Sequence, residues 1–393
     1  MRFIYSIFIA LYGLVIRIIS PFNKRAKAWQ NGRKTASYTN ILSLSDGKYI
    51  WIHCASAGEF EQAIPLIHSI KKSASANKIA VSFYSPSGYE LYKNSLYADL
   101  FFYLPLDTYA NAEKLIKKLN IAFVIFIHNE RWWNLLHALH QHKIDIYLVN
   151  ADIPNNISFF YKWYLNKTAV YFTKIFDVKT FGNTKLERVI ENKNHIFNDE
   201  IIESFCNNAF TIILGSCYRK EIEFMATFFH KYSTQISSLK IILAPHEFDE
   251  KMLSYLKDIF SKSTEIISYT NIQNVLQQRI LFLNKIGVLK YIYRFGNIAF
   301  IGGGFGKGIH NTSEAVVYGI PAIIGPNYHK SAEIFSLIKE GFVFPINSYE
   351  QFEQQLLNVY NNNLLQQKIR IQTVQYFSGS LHTADRILSE ILK

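Results

Sequence analysis

The segment "WIHCASAGEF", Trp51 to Phe60, decides the fold. It begins with residues typical of a β-strand, continues through small residues, and ends with Glu59 at the start of a helical pattern. Downstream, Lys71 and Lys72 stand where the dipole at a helix C-terminus favours cations. The segment therefore predicts a strand, a tight turn and a helix, which is the building unit of a parallel α/β sheet.

Similar apolar runs recur along the whole chain. In the first half they are "YIWIH", "KIAVSFY", "LFFYLPL", "IAFVIFIH" and "DIYLVNA", and in the second half "FTIILGS", "KIILAPH", "EIISY", "RILFLN", "NIAFIGGG" and "PAIIGP". Continuous apolar strands with helical patterns between them are typical of parallel sheets covered on both faces. Two such series predict two Rossmann-like domains in an α/β protein.

The polar segment Arg188 to Asn208 has no strand pattern and separates the two series. We therefore expect a membrane-anchoring segment at residues 1–34, an amino-terminal Rossmann-like acceptor domain at 35–195 and a carboxy-terminal donor domain at 196–393. We expect the last helix to pack back on the amino-terminal domain.

Charge is concentrated at the amino terminus. The net charge is +12, and seven basic residues but no acidic residue precede Asp46. The uncharged stretch Phe3 to Ile16 is shorter than the ~20 residues that a spanning helix needs. Basic residues beside an apolar stretch indicate contact with an anionic lipid surface, and no nucleic-acid-binding motif accompanies them. We therefore expect a membrane-surface anchor, with a spanning helix or a buried first helix as alternatives.

Composition excludes two other classes of protein. A hydrophobic content of 49% with 16% aromatic residues is too high for a disordered chain. The three cysteines, Cys54, Cys206 and Cys217, are odd in number and far apart. They favour a reducing compartment over a disulfide-stabilised secreted fold.

A glycine-rich segment, Ile298 to Pro326, reads "IAFIGGGFGKGIHNTSEAVVYGIPAIIGP". A strand ends in glycines, and a helix is expected from Thr312 or Ser313, with Glu314 in its first turn. Glycines let backbone amides approach a phosphate near a helix N-terminus, and a carboxylate there suits ribose hydroxyls. The spacing fits neither a dinucleotide fingerprint nor a P-loop. The alternative is a structural turn in which Glu314 only caps the helix.

Five blocks occur in an order that resembles a known family. They are "HCASAGE", "IHNERWWN", "GNTKLERV", the "HN" before Glu314, and "GIPAIIGP". Together they resemble the bacterial 3-deoxy-D-manno-octulosonic acid (Kdo) transferases from the amino-terminal anchor to the last helix. The resemblance implies a GT-B fold, with two Rossmann-like domains facing a cleft and a membrane-associated amino-terminal helix. It also implies inverting transfer of Kdo from CMP-Kdo to a lipid A precursor, in lipopolysaccharide biosynthesis at the cytoplasmic face of the inner membrane.

The resemblance also assigns catalytic roles. The family's general base falls on Glu59, and an inverting transfer needs such a carboxylate to take the proton of the attacking hydroxyl. Lys185 lies in the block that stabilises the transition state. Glu130 matches the second acid of the family's acidic segment, whereas His128 replaces the first, and which position contacts the acceptor stays open. A helix-capping role for either glutamate, and a solvated surface position for Lys185, are the structural alternatives.

The donor site implied by the resemblance lies in the second half. Its residues are Pro245, His246, Ile286, Gly287, Val288, His310, Asn311, Thr312, Ser313 and Glu314. Two positions depart from the family. His246 replaces an arginine and can donate only singly to a phosphate, and Val288 replaces a glutamate beside the cytidine. The roughly thirty residues between Asp152 and Gly182 are also short for the family, which predicts loss of a helix and an outer strand.

No metal or other cofactor is expected. The chain has no Asp-x-Asp motif, and the spacing of His137, His140 and His142 puts at most two of them on one helical face. The expected partners are CMP-Kdo, the lipid A precursor and the anionic inner-membrane surface, without nucleic acid. The alternatives are another GT-B nucleotide-sugar transferase or epimerase, and an inactive relative on the membrane surface.

Overall fold

The computed structural model describes residues 2–35, 47–73, 76–153, 157–260, 266–271, 278–306, 308–329 and 331–393. The start of the expected acceptor domain, at 36–46, lies outside these residues. The chain divides into two compact units. The first consists of Met1–Arg188 with Ser380–Lys393, and the second of Val189–Gly379. The carboxy-terminal helix therefore belongs to the first unit.

The first unit alternates strands and helices. Its strands are β1 (Tyr49–Cys54), β2 (Lys78–Phe83), β3 (Leu100–Tyr103), β4 (Ile121–Ile127), β5 (Asp145–Ala151) and β6 (Lys174–Asp177). Its helices are α1 (Arg2–Ile19), α2 (Lys24–Thr35), α3 (Ala57–Lys72), α4 (Pro86–Tyr92), α5 (Tyr109–Lys118), α6 (Trp133–Gln141), α7 (Phe159–Ala169), α8 (Val178–Phe181), α9 (Thr184–Asn194), which runs on into the second unit, and α18 (Thr383–Ile391).

These strands form one parallel sheet in the order β3-β2-β1-β4-β5-β6, the Rossmann arrangement. Buried side chains cover both of its faces, as the continuous apolar strands require. The expected loss of a helix and an outer strand after Asp152 is wrong, because α7 and β6 occupy that stretch. The sequence "KIFD" of β6 is too short and too polar to give a clear strand pattern.

Helix α1 is not a core helix, because Gly13 is the one residue buried within it. By length and composition it could cross a membrane. One side of α1 lies against the rest of the first unit, where the Tyr5 hydroxyl donates to Asp107 at 2.7 Å. Gly13 allows close packing there, since a Cβ at this position would lie 2.6 Å from the Leu106 side chain.

The second unit contains a parallel sheet in the order β13-β12-β11-β7-β8-β10-β9. Its strands are β7 (Phe210–Cys217), β8 (Leu239–Pro245), β9 (Ile266–Ser268), β10 (Ile280–Phe282), β11 (Ile298–Ile301), β12 (Ala322–Ile324) and β13 (Val343–Pro345). Its helices are α10 (Glu200–Cys206), α11 (Arg219–Tyr232), α12 (Glu250–Phe260), α13 (Leu289–Ile292), α14 (Ser313–Val316), α15 (Ala332–Lys339), α16 (Tyr349–Asn361) and α17 (Asn363–Ser378).

The chain winds outward from β7 in both directions, first to β8 and later to β11. The carboxyl ends of β7 and β11 therefore flank a point where the winding reverses, and the ends of β1 and β4 do the same in the first unit. Such points are the usual ligand-binding positions of open α/β sheets. The two Rossmann-like domains predicted from the apolar runs are confirmed.

Candidate active site

Glu59 lies in the first turn of α3, directly after β1. Ser56 caps this helix and accepts the Glu59 N–H at 3.4 Å, while the Glu59 carboxylate accepts the N–H of Ala55. The side chain is half-buried. Burial, and next the charge of Glu130, raise the pKa of Glu59 to about 8. A carboxyl group with such a pKa takes up a proton at neutral pH more readily than an ordinary glutamate.

Glu130 follows β4 and lies beside a buried histidine. Its carboxylate is 3.8 Å from Nε2 of His53, which is fully buried in β1. The Trp132 indole N–H donates to the same Nε2 at 3.0 Å, so the histidine hydrogen resides on Nδ1 and is donated to Ser82 at 2.8 Å. This network fixes the turn that carries Glu130. No sequence pattern pointed to His53 or Trp132 as its supports.

Lys185 is half-buried at the start of α9, and the residue before it is tightly held. Thr184 donates its N–H to the Asn150 side chain at 3.1 Å and accepts from the same amide at 2.7 Å. The Thr184 hydroxyl donates to the carbonyl of Gln62 at 2.6 Å. Because Gln62 lies in α3, these bonds join the segment containing Lys185 to the helix that carries Glu59.

Two strands of the first sheet end in left-handed backbone. His128, directly after β4, has φ 63°, and Asn150, the second-to-last residue of β5, has φ 58°. Residues other than glycine adopt this conformation at a cost, and such positions cluster at functional sites. The imidazole of His128 lies 3.4 Å from the Asn150 carbonyl. Of the two positions His128 and Glu130, it is Glu130 whose charge raises the pKa of Glu59, after the larger effect of burial.

In the second unit, three rings meet at the carboxyl ends of β7, β8 and the glycine-rich loop. The Tyr218 ring lies 5.0 Å from that of His246 and 5.8 Å from that of His310, and the two imidazoles are 4.8 Å apart. The Tyr218 hydroxyl is 3.2 Å from Nε2 of His310. Burial, and next the neighbouring His246, lower the pKa of His310. Tyr218 had no sequence signal beyond its position directly after a strand.

The glycine-rich loop is fixed to the sheet by a buried acid. Glu221 in α11 accepts the N–H of Gly303 at 2.9 Å and that of Tyr218 at 3.0 Å. Burial raises the pKa of Glu221. A Cβ on Gly302 would lie 2.2 Å from the carbonyl oxygen of Ser216, so the loop packs directly against the end of β7.

The residues after this loop differ in what they can offer a ligand. Asn311 donates to the carboxylate of Glu314 at 2.9 Å, and its own carbonyl oxygen is buried without a partner among the described residues. Thr312 and Ser313 are fully buried, and the Ser313 hydroxyl donates to Glu333. Asn311 and Glu314 therefore form a half-buried pair that keeps an unused acceptor on the asparagine, whereas Thr312 and Ser313 present no exposed side chain.

The other predicted donor residues lie on two loops. Pro245 is the buried last residue of β8, and the exposed His246 follows it. Ile286 is 72% exposed, Gly287 has φ 84°, and Val288 caps the short helix α13. The positive φ of Gly287 favours glycine, because a Cβ would strain the backbone in this conformation.

Within the described ranges, no group of three or more His, Cys, Asp or Glu residues is arranged to hold a metal ion. The independence from metal that was expected from the sequence stays a prediction.

The comparisons with known proteins bear on the family and on the fold. The family model described as 3-deoxy-D-manno-octulosonic-acid transferase (kdotransferase) matches residues 23–188. The 3-deoxy-D-manno-octulosonic acid transferase of Aquifex aeolicus is 27% identical over 305 residues, covering 76% of this chain and 82% of that protein. That of Rickettsia typhi is 24% identical over 349 residues, covering 81% and 73%. The chain is thus similar to the Kdo transferases, both to their family model and to relatives that align with most of its length.

Its similarity to proteins named Kdo transferases makes this protein a glycosyltransferase enzyme. Its fold is of the GT-B type. A solved structure of UDP-GlcNAc 2-epimerase from Neisseria meningitidis has a TM-score of 0.63 to it, covering 88% of this chain and 99% of that one. With 12% sequence identity, this likeness concerns the fold alone.

Proposed function

We propose that this protein is a Kdo transferase that moves Kdo from CMP-Kdo to a lipid A precursor, with inversion at the anomeric carbon. The observation that carries the proposal is the pair of glutamates at the carboxyl ends of β1 and β4, with the pKa of Glu59 raised to about 8 by burial and by Glu130. Glu59 takes the proton of the acceptor hydroxyl as that oxygen attacks the sugar. The rigid turn after β1 holds the carboxylate in position before the acceptor binds.

The bond that breaks joins the anomeric carbon to the phosphate of CMP, so negative charge grows on the leaving phosphate. The chain offers donors for it in Lys185 and in the imidazoles of His246 and His310. Asn311 and Glu314 present one free acceptor oxygen and one carboxylate for ribose hydroxyls. In this assignment the second unit binds the nucleotide and the first unit binds the acceptor.

Location on the cytoplasmic face of the inner membrane forms part of the proposal. Apolar side chains of α1 are exposed, among them Phe3 at 76%, Phe8 at 66% and Ile18 at 62%. Helix α2 follows with basic residues and no acidic one. Because α1 is also held to its domain through Tyr5, we expect it to lie in the interface with its free side in lipid. The basic α2 then contacts anionic headgroups.

The direct test incubates the purified full chain with CMP-Kdo and a lipid A precursor and weighs the product by mass spectrometry. Addition of Kdo to the lipid supports the proposal, and an unchanged lipid mass contradicts it. CMP is expected to raise the melting temperature of the protein, whereas UDP is not; the reverse would favour a UDP-sugar enzyme.

The base is tested with Glu59→Gln, which keeps the shape of the side chain and removes its proton affinity. Transfer should fall by ~10²–10⁴-fold while CMP binding stays near normal. The matched control is Glu61→Gln, two residues along the same helix, where the carboxylate binds Arg188 at 2.7 Å. Joint loss of transfer and CMP binding in Glu59→Gln would make the residue structural.

A further inference from the structure

An apolar groove of about 560 Å³ runs between α1, α6 and α7 in the first unit. Ile4 and Phe8 of α1 form one wall, Phe160 and Trp163 of α7 the other, and Trp133 the floor. These side chains do not fill the groove with one another: Ile4 is 50% exposed, Phe8 66% and Phe160 79%. Apolar rings left in water in this number mark a binding surface rather than a core.

The groove offers almost nothing to a polar ligand. Two tyrosines contribute rings to its lining, but both hydroxyls are engaged elsewhere. Tyr5 donates to Asp107, and Tyr164 donates to the carbonyl of Arg131. A lining that is almost wholly apolar fits a hydrocarbon chain, and it gives no hydrogen bond that would orient a sugar or a nucleotide.

The position of the groove connects it to the candidate base. Its floor, Trp133, follows Trp132, whose indole N–H binds the same His53 that lies beside Glu130. On the α7 side, burial first, then the charge of Asp107 and more weakly that of Glu130, raise the pKa of Tyr164. The floor of the groove therefore lies next to the turn that carries Glu130, and one of its walls is the exposed side of α1.

We propose that this groove binds one acyl chain of the lipid acceptor, with the acceptor's sugar held at Glu59 and Glu130. The inference rests on the proposed function and assigns α7 to acceptor recognition. Bulk membrane hydrocarbon would contact the outer face of α1 equally well. It does not account for a groove whose floor adjoins the turn that carries Glu130.

The kinetic test compares two acceptors with the full chain in detergent micelles: the acylated precursor and its water-soluble, fully deacylated counterpart. Phe160→Ser should raise KM for the acylated acceptor by about tenfold or more, since each methylene withdrawn from apolar surface weakens binding about fourfold. KM for the deacylated acceptor should not change. The matched control is Phe22→Ser, which removes a 91% exposed phenylalanine outside the groove.

If the ratio of KM for the acylated acceptor to KM for the deacylated acceptor is the same in Phe160→Ser and Phe22→Ser, the proposed acyl-chain site is wrong. It is also wrong if the one defect of the Phe160→Ser enzyme is weaker binding to anionic phospholipid vesicles without acceptor, because the surface would then serve the bilayer.

A binding measurement keeps this test separate from the proposed reaction. An acceptor carrying bromine on its acyl chain should quench the indole fluorescence of the protein, and Trp163→Phe should remove a large part of that quenching. This result is read without turnover, so it supports the groove even where no Kdo is transferred. Quenching that Trp163→Phe leaves unchanged would refute acyl-chain binding at this position.

Discussion

The electrostatic coupling between the two glutamates gives a prediction that can be measured as a shift along the pH axis. Only ionised Glu59 can accept a proton. With a pKa of about 8, roughly one tenth of it is ionised at pH 7, and the fraction rises tenfold for each pH unit gained well below 8. In the wild type, kcat/KM should therefore rise with pH and level off above about 8.

Neutralising Glu130 should move the rising part of the kcat/KM curve, its acidic limb, to lower pH. Burial is the first cause of the raised pKa of Glu59 and the charge of Glu130 the second. Two like charges in a site of effective dielectric constant near 20 repel by ~1–2 kcal/mol at separations of about 10 Å, which corresponds to about one pH unit. Glu130→Gln should therefore shift the acidic limb down by about one unit. Cys54, also close, adds no charge because burial raises the pKa of its thiol.

The assay is kcat/KM for transfer measured from pH 5.5 to 9.5 in constant ionic strength. Glu130→Gln is expected to lower the plateau as well, if its carboxylate contacts the acceptor, but the position of the limb is read independently of its height. The control Glu61→Gln makes the same charge change on α3 and should leave the limb in place, since Glu61 is not among the groups that act on Glu59. A limb that stays near pH 8 in Glu130→Gln refutes the coupling, and with it the assignment of Glu59 as the titrating base.

Three further substitutions test other parts of the structure. Gly215→Ala would place a Cβ 1.7 Å from the hydroxyl oxygen of buried Tyr293, so we expect a loss of ~1–3 kcal/mol in unfolding free energy, measured by denaturant titration. Asn150→Ala leaves the buried N–H of Thr184 unpaired and should lower kcat by about tenfold, with a melting temperature reduced by several degrees. Glu314→Ala should weaken CMP binding by about tenfold, measured by calorimetry, because a carboxylate that accepts ribose hydroxyls is lost.

Each of these has a control. Gly287→Ala meets no atom within 4 Å and should cost only the backbone strain of its positive φ, roughly 1 kcal/mol, so a larger loss than in Gly215→Ala would be inconsistent with steric overlap. Asn150→Gly removes the same hydrogen bonds but tolerates left-handed backbone; full activity in this variant would assign the effect to strain. Glu250→Ala, at an exposed position in α12, should leave CMP affinity unchanged. An unchanged affinity in Glu314→Ala too would contradict the ribose role.

Much of the fold follows from the sequence alone, because strand and helix formation depends on residues close together in the chain. The pattern around "WIHCASAGEF" predicted β1, the turn and α3, and it placed Glu59 at the helix start. The eleven apolar runs predicted eleven of the strands in the described part of the chain. The strands β6 and β13 escaped, because charged residues flank the apolar pair in "KIFD" and a proline ends "VFP" after two apolar residues.

The chemical properties of the site arise from the tertiary structure. Glu130 is 71 positions beyond Glu59 in the sequence, and only the pairing of β1 with β4 brings the turns that carry them together. The ring cluster of Tyr218, His246 and His310 likewise needs three strand ends to meet. Desolvation and charge repulsion sum over every group packed around a carboxyl, whatever its sequence distance. The sequence therefore determined which residue types were present and which elements carried them, whereas the packed structure decided their pKa values and partners.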